Sequence, residues 1–150
     1  MNKANSFRAA LTAAVPALAV DPDKLLVFID QGALAVTGAQ SDGFEYRYTL
    51  NVIVTEFAGD ADTVFLALVR WIKANQPDFF INEDRRKTGI TFEVDHLTQS
   101  TCDISIKLAP LSESVLVSTD AAGVDTITHV DEPRYEWQET GLYAGDAWTT

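Results

Sequence analysis

The chain holds few of the residues that chemistry is usually built from. Of its 150 residues one is cysteine and two are histidine. An internal disulfide is therefore excluded, and Cys102, His96 and His129 show no short metal-ligand spacing. Basic residues number 11 against 22 acidic ones, giving a formal net charge of −11 and a pI near 4.4. So acidic a chain lacks the cationic patch that phosphate binding requires, which argues against nucleic acid as a partner. No apolar run approaches the roughly 20 residues that span a bilayer, so no membrane is expected either. The alanine-rich LTAAVPALAV, with Lys3 and Arg8 upstream, faintly imitates a signal peptide. It reads better as a helix, because LLVFI follows directly as a strand. A soluble protein of a reducing cytoplasm is the expectation. Glycine is sparse as well. FAGDAD, the one strand-to-helix turn, offers a single glycine and two anions, which would repel a phosphate.

What is present is ordinary globular material, 47% hydrophobic and 22% charged. The length suits one domain, residues 1–132, with a C-terminal extension at 133–150. The organising stretch runs from Phe44 to Pro77. Phe44, Tyr46, Tyr48, Leu50, Val52 and Val54 alternate with Glu45, Arg47, Thr49, Asn51 and Thr55, and only Ile53 interrupts the polar face. Alternation over that length predicts a half-buried strand. The period then changes. Val64, Leu68, Trp71 and Ile72, widened by Phe65 and Val69, form the stripe of an amphipathic helix. Gly59 releases the strand, Asp60 or Asp62 caps the helix, and Asn75 and Pro77 end it. A long strand handing over to a broad-faced helix is the nucleus of a two-layer α+β domain.

The flanking segments complete it. Residues 5–19 read as a helix capped by Asn5 or Ser6, with a stripe of Phe7, Leu11, Ala14, Val15 and Leu18. Pro16 kinks that helix or ends it. Asp21-Pro22-Asp23 is a turn, and Lys24–Asp30, apolar without alternation, reads as a central strand covered on both faces. The stretch Gly32–Gly43 is ambiguous: ALAV suits an edge strand and GAQSDG a loop. Residues 78–88 read as a solvated, mixed-charge connection. Ile90, Phe92 and Val94, then Cys102, Ile104, Ile106 and Leu108, mark two strands joined as an antiparallel hairpin. SVLVS (114–118) and DTITHV (125–130) suggest a second small β-ribbon apart from the main sheet. From Asp131 onward the pattern dissolves into an aromatic-rich tail with no period. The fold class is thus α+β, a mostly antiparallel sheet packed by two helices, plus a ribbon and an irregular tail.

No constellation for catalysis emerges. His96 and His129 read as polar strand-end histidines, and Asp95 points away from His96 because strand neighbours alternate. Cys102 shares the face of Ile104 and Ile106 and reads as a small buried hydrophobe. Arg85, Arg86 and Lys87 form the only basic run; beside Glu83 and Asp84 it is a solvated loop or a contact for an acidic partner. No enzyme activity, cofactor or metal is expected. What remains points to assembly. Leu66 lies with Arg70 and Lys73 about 140° from the centre of the helix stripe. Tyr135, Trp137, Tyr143 and Trp148 suit a subunit contact, or else fold back onto their own subunit.

RYTLNVIVTEFAGD, the helix ending in NQPD, GITFEVD, CDISIKL and ESVLV occur in order, preceded by FRAALTAAV and DPDKLLVFIDQG. These blocks resemble the tail-completion protein R family of contractile-tailed phages and R-type pyocins over roughly residues 6–133. Pro16 interrupts the first helix, and the tail after Pro133 lies beyond the resemblance. The resemblance implies a structural virion protein, assembled in the host bacterial cytoplasm, at the head-proximal end of a contractile tail. There it would terminate tube and sheath polymerisation as a homohexameric ring, analogous to tail terminators, and form the collar surface for the neck. It would contact tube or sheath protein and a neck or connector protein, and could exchange strands with the sheath. The family carries no catalytic motif. Residue type and helix face, rather than the resemblance, point to Tyr135, Trp137, Tyr143, Trp148, Leu66 and Arg70 as interface residues, with Arg85, Arg86 and Lys87 facing an acidic neighbour. Rival readings are a head–tail connector, a tail chaperone absent from the finished particle, and a small-molecule-binding or enzymatic α+β domain.

Overall fold

A computed structural model of the chain describes residues 1–36 and 42–132. Helix α1 (Asn2–Ala14) ends where Val15 turns extended at φ −120° and ψ 94°, and α2 (Pro16–Val20) starts afresh with proline at its first position. Pro16 therefore ends one helix and begins another, where its missing N–H costs nothing. The helix starts earlier than its sequence suggests. Neither Asn5 nor Ser6 caps it; Ser6 Oγ instead accepts from Trp71 Nε1 at 3.1 Å. Ala14 is exposed, while Phe7, Leu11, Val15 and Leu18 are buried.

A 3₁₀ turn (Pro22–Lys24) leads into β1 (Leu25–Val36), followed by β2 (Phe44–Phe57) and α3 (Ala61–Asn75). The Asp60 carboxylate caps α3, accepting from Asp62 N at 2.9 Å. Its Val64, Leu68, Trp71 and Ile72 are buried, in line with the sequence stripe. The segment 78–88 is not the expected open connection but two short helices, α4 (Asp78–Ile81) and α5 (Glu83–Thr88). Phe79 anchors the first in the core, and Asn82 Oδ1 caps the second through Asp84 N and Arg85 N. Strands β3 (Ile90–His96), β4 (Cys102–Thr119) and β5 (Asp125–His129) close the described chain.

The architecture is α+β: one antiparallel sheet, ordered β1-β2-β4-β3 with β5 also paired to β4, packed by helices on one face. Two sequence expectations change here. β1 is an edge strand, not a central one, and its outer face carries Leu26 and Phe28 at 51% and 38% exposure. An apolar run on both faces fits a buried central strand and an edge strand with an uncovered outer face equally well. The expected separate ribbon is instead continuous with the sheet. β4 pairs β3 along its first half and β5 along its second, while β2 pairs both halves.

The core lies between α1, α2, α3 and the sheet. Leu50, Val52, Val54, Ile104, Ile106 and Leu108 have no exposed surface. Phe7 meets Trp71 edge-on at 5.2 Å between ring centroids. Cys102 is buried, as its strand position implied. Bulges adjust the sheet at two places where non-glycine residues take positive φ, Gln31 at 51° and Glu56 at 50°. The Glu56 amide donates to Asp103 Oδ1 at 2.8 Å, which satisfies the donor freed by its bulge.

Candidate assembly surface

The exposed side of α3 is where the helical period placed it. Leu66 is half-exposed and Arg70 is exposed beside it, while Leu68 and Ile72 face the core. Two cations of the basic run on α5 meet carboxylates of the same subunit. Arg85 pairs with Asp78, and Lys87 Nζ lies 2.8 Å from Glu83 Oε1 one helical turn back. Arg86 alone of the three is exposed without an ion pair among the described residues. Of the three cations, Arg85 and Lys87 have carboxylate neighbours within the subunit, and Lys87 stays largely exposed beside its own. Tyr135, Trp137, Tyr143 and Trp148 lie outside the described residues.

Two further surfaces were not singled out from the sequence. Leu26 and Phe28 on β1 pair across the sheet with Ile53 and Asn51 of β2, so Leu26, Phe28 and Ile53 make an apolar patch on the face away from the helices. Ile53 was the signal: it is the one apolar residue that breaks the polar alternation of β2. Among the described residues β1 pairs only with β2, so its outer edge offers unpaired backbone groups along that patch. The second surface is the distal half of the helix-side face, where Leu34, Val36 and Ile127 stand 62%, 74% and 63% exposed.

A buried polar cluster separates the covered half of the sheet from this uncovered half. Lys3, only 8% exposed, donates at 2.6 Å to each of Gln76 Oε1, the Ser112 carbonyl and Glu132 Oε1. Gln76, 1% exposed, also donates from Nε2 to Asp78 Oδ1 at 2.7 Å. Next to them Glu113 is buried at 6% exposure and accepts from Asn2 N at 2.8 Å and Tyr48 Oη at 2.7 Å. Burial above all, and then the Glu113 carboxylate, push the Tyr48 phenol well above its ordinary range; Tyr46 shifts the same way for the same causes. His129 Nδ1 lies 3.5 Å from Glu113 Oε1 and makes no hydrogen bond among the described residues. A burial-driven cluster of this kind orients chain ends: it joins the start of α1, the end of α3, the middle of β4 and the stretch after β5. Nothing in the sequence pattern marks it, since Lys3 sits in an alanine-rich helix and Glu113 in an unremarkable strand.

No three of the His, Cys, Asp and Glu side chains among the described residues converge in a way that could hold a metal ion. Among the described residues the features that stand out are these exposed apolar surfaces and the buried polar cluster between them.

Comparison with known proteins agrees with the resemblance seen in the ordered sequence blocks. The family model described as P2 phage tail completion protein R (GpR) matches residues 1–133. Tail completion protein R of Escherichia phage P2 is 44% identical over 133 residues, which cover 89% of this chain and 84% of the relative. No solved structure matches.

Proposed function

The chain belongs to the family of P2 phage tail completion protein R, and from that premise we propose that it is a structural, non-enzymatic component that completes a phage tail. Its place is the head-proximal end of a contractile tail. There it caps the last ring of tube or sheath, stops further polymerisation and presents a collar surface to a neck protein. A homohexameric ring suits that task, because identical heterologous contacts close on themselves and leave no equivalent face for another tube subunit. The same part would serve a headless pyocin-like particle. Residues 1–132 act as the assembling domain and 133–150 as its extension.

One observation supports this reading beyond family membership. The domain leaves large apolar side chains on its surface: Leu26 and Phe28 along a strand edge that is unpaired among the described residues, and Leu66 on the exposed side of α3. Scattered exposed leucines are common, but an apolar strip along an unpaired edge is a template for another chain. We assign ring packing to Leu66 and Arg70, strand-edge contact to β1, and contact with an acidic neighbour to Arg86. Arg85 and Lys87 support it from within α5.

The test is tail length. Tails assembled without the protein, imaged by negative-stain electron microscopy, are expected to be overlong or ragged, and added protein should restore a regular length. Tails of normal length that fail only to join heads would move the protein to a connector role. Its absence from purified particles by mass spectrometry would instead make it a chaperone of assembly.

A further inference from the structure

The sheet ends on its other side in β3, which pairs only with β4 among the described residues. Facing residues make rows across a sheet, and the row of Phe92 runs through Ile106 on β4 and Val52 on β2. Ile106 and Val52 have no exposed surface, whereas Phe92, on the same helix-side face, stands 58% exposed. Helix α3 reaches this edge with Phe65, whose ring centroid lies 4.9 Å from that of Phe92 at an interplanar angle of 58°. Val69, one turn further along α3, is likewise only partly buried. The core row therefore ends in an aromatic step that the described residues leave half bare, beside backbone groups of β3 that have no partner strand. One more strand would continue the row and cover Phe92.

Charge says what such a strand must carry. On the opposite face of the same edge stand Glu93 and Asp95, both exposed. Asp95 lies directly across from Asp103 of β4, and like charges so placed repel. The Glu56 amide satisfies one oxygen of Asp103. None of the three carboxylates forms an ion pair among the described residues. Nor can a strand edge of this chain supply the missing cation. The strands β1, β3 and β5 (LLVFIDQGALAV, ITFEVDH and DTITH) contain neither lysine nor arginine. Edge-to-edge pairing of two copies would set Asp30, Asp95 or Asp125 against carboxylates already uncompensated, so a second copy is the wrong occupant.

We propose that the β3 edge receives an extended segment of a different protein, added to the sheet as a further strand, in which apolar residues alternate with lysine or arginine. Successive residues of a strand point to opposite faces. The apolar side chains of the segment therefore pack on Phe92 and Phe65 on the helix side, while its cations meet Glu93, Asp95 and Asp103 on the other. That the donor is a neighbouring protein of the tail rests on the tail-completion reading; the chemistry of the segment does not.

Amide hydrogen exchange on the full chain tests this without any tail, so its outcome is separate from that of the tail-length experiment. The probe is a peptide of about nine residues alternating lysine and valine, within the usual length of a strand. Adding it should slow exchange at residues 91–95 several-fold and leave β1 and β5 as they were. A peptide alternating glutamate and valine should leave β3 unchanged. Phe92→Ser, and separately Glu93→Gln with Asp95→Asn, should each weaken binding of the lysine peptide several-fold, with far-UV circular dichroism unaltered. Asp21→Asn with Asp23→Asn removes the same charge beside the opposite edge strand and should not weaken it. Unchanged exchange in β3 would overturn the proposal, as would equal slowing along β1. Equal weakening by the Asp21/Asp23 pair would overturn it too, since the peptide would then sense only the acidity of the whole chain. So would β3 amides that slow with protein concentration alone, because a second copy would then be the occupant. Should Phe92→Ser fail to fold, the comparison of the two carboxylate pairs decides.

Discussion

Replacing Lys3 with methionine keeps the length of the side chain and removes its charge from a site only 8% exposed. Three acceptors at 2.6 Å lose their donor. They do not lose equally. Gln76 Oε1 still accepts from Ser112 N at 3.3 Å. The Glu132 carboxylate, with 26% of its side chain exposed, can recover part of its hydration. The Ser112 carbonyl is left poorest. A hydrogen bond to a charged group contributes about 1.5–3 kcal/mol, and stripping one partner from a fully buried ion pair costs about 3–5 kcal/mol. Discounting for the exposure of Glu132 and for the apolar contact methionine keeps, the expected loss is about 2–3 kcal/mol. In a chain of this size that lowers the urea midpoint by about 1 M and the melting temperature by about 5–10 °C. Equilibrium urea unfolding followed by circular dichroism measures it. A companion cycle with Glu132→Gln isolates the pair, and the double variant should cost less than the two single losses added together. An unchanged midpoint would refute the reasoning, since it would mean that the cation gains no more from its partners than it pays in desolvation.

Three other outcomes follow from the same structure. Burial and Glu113 raise the Tyr48 phenol above its ordinary 10.0, so the fold holds the proton more tightly than the unfolded chain does. That contribution is complete below about pH 10 and falls as pH rises further, because only the unfolded state ionises freely; Tyr48→Phe should flatten the alkaline loss measured by urea midpoints, and an identical slope would exclude Tyr48 as its source. Gly89→Ala would place a Cβ 2.5 Å from the Phe79 ring and 2.6 Å from the Arg85 carbonyl, at an expected cost of about 1–3 kcal/mol; a thermal melt at the wild-type temperature would show that the α5–β3 junction yields. Leu26→Lys with Phe28→Lys alters side chains already 51% and 38% exposed, so stability should change by about 1 kcal/mol or less. The same variant should fail to restore tail length by electron microscopy, and normal tails would remove the β1 strip from the contact.

Helix α3 shows how far local pattern reaches. Its stripe, a carboxylate cap from Asp60 or Asp62 and its end at Asn75 were legible, because a 3.6-residue period and a carboxylate at free N–H groups are properties of a few neighbouring residues; the structure decides for Asp60. The alternation of β2 was legible for the same reason, and so was the burial of Cys102. The α5 run shows where legibility stops. Three cations in sequence looked like one charged patch, yet Asp78, seven residues upstream of Arg85, engages one of them only because α4 folds back beside α5.

The remaining decisions are nonlocal. The amino-acid sequence by itself determined the α+β class, the antiparallel pairing of the hairpins, the main helix and strands, and the family. Those depend on period, turn chemistry and the order of blocks along the chain. Only the tertiary structure decided that β1 stands at the edge, that β4 carries both β3 and β5, and that a bulge turns Leu34 and Val36 toward the helix side. Only it buries Lys3 between Gln76, Ser112 and Glu132, residues up to 129 positions away in the chain. Periodicity says which side chains share a face; what covers that face depends on partners brought together from distant parts of the chain, or from another molecule.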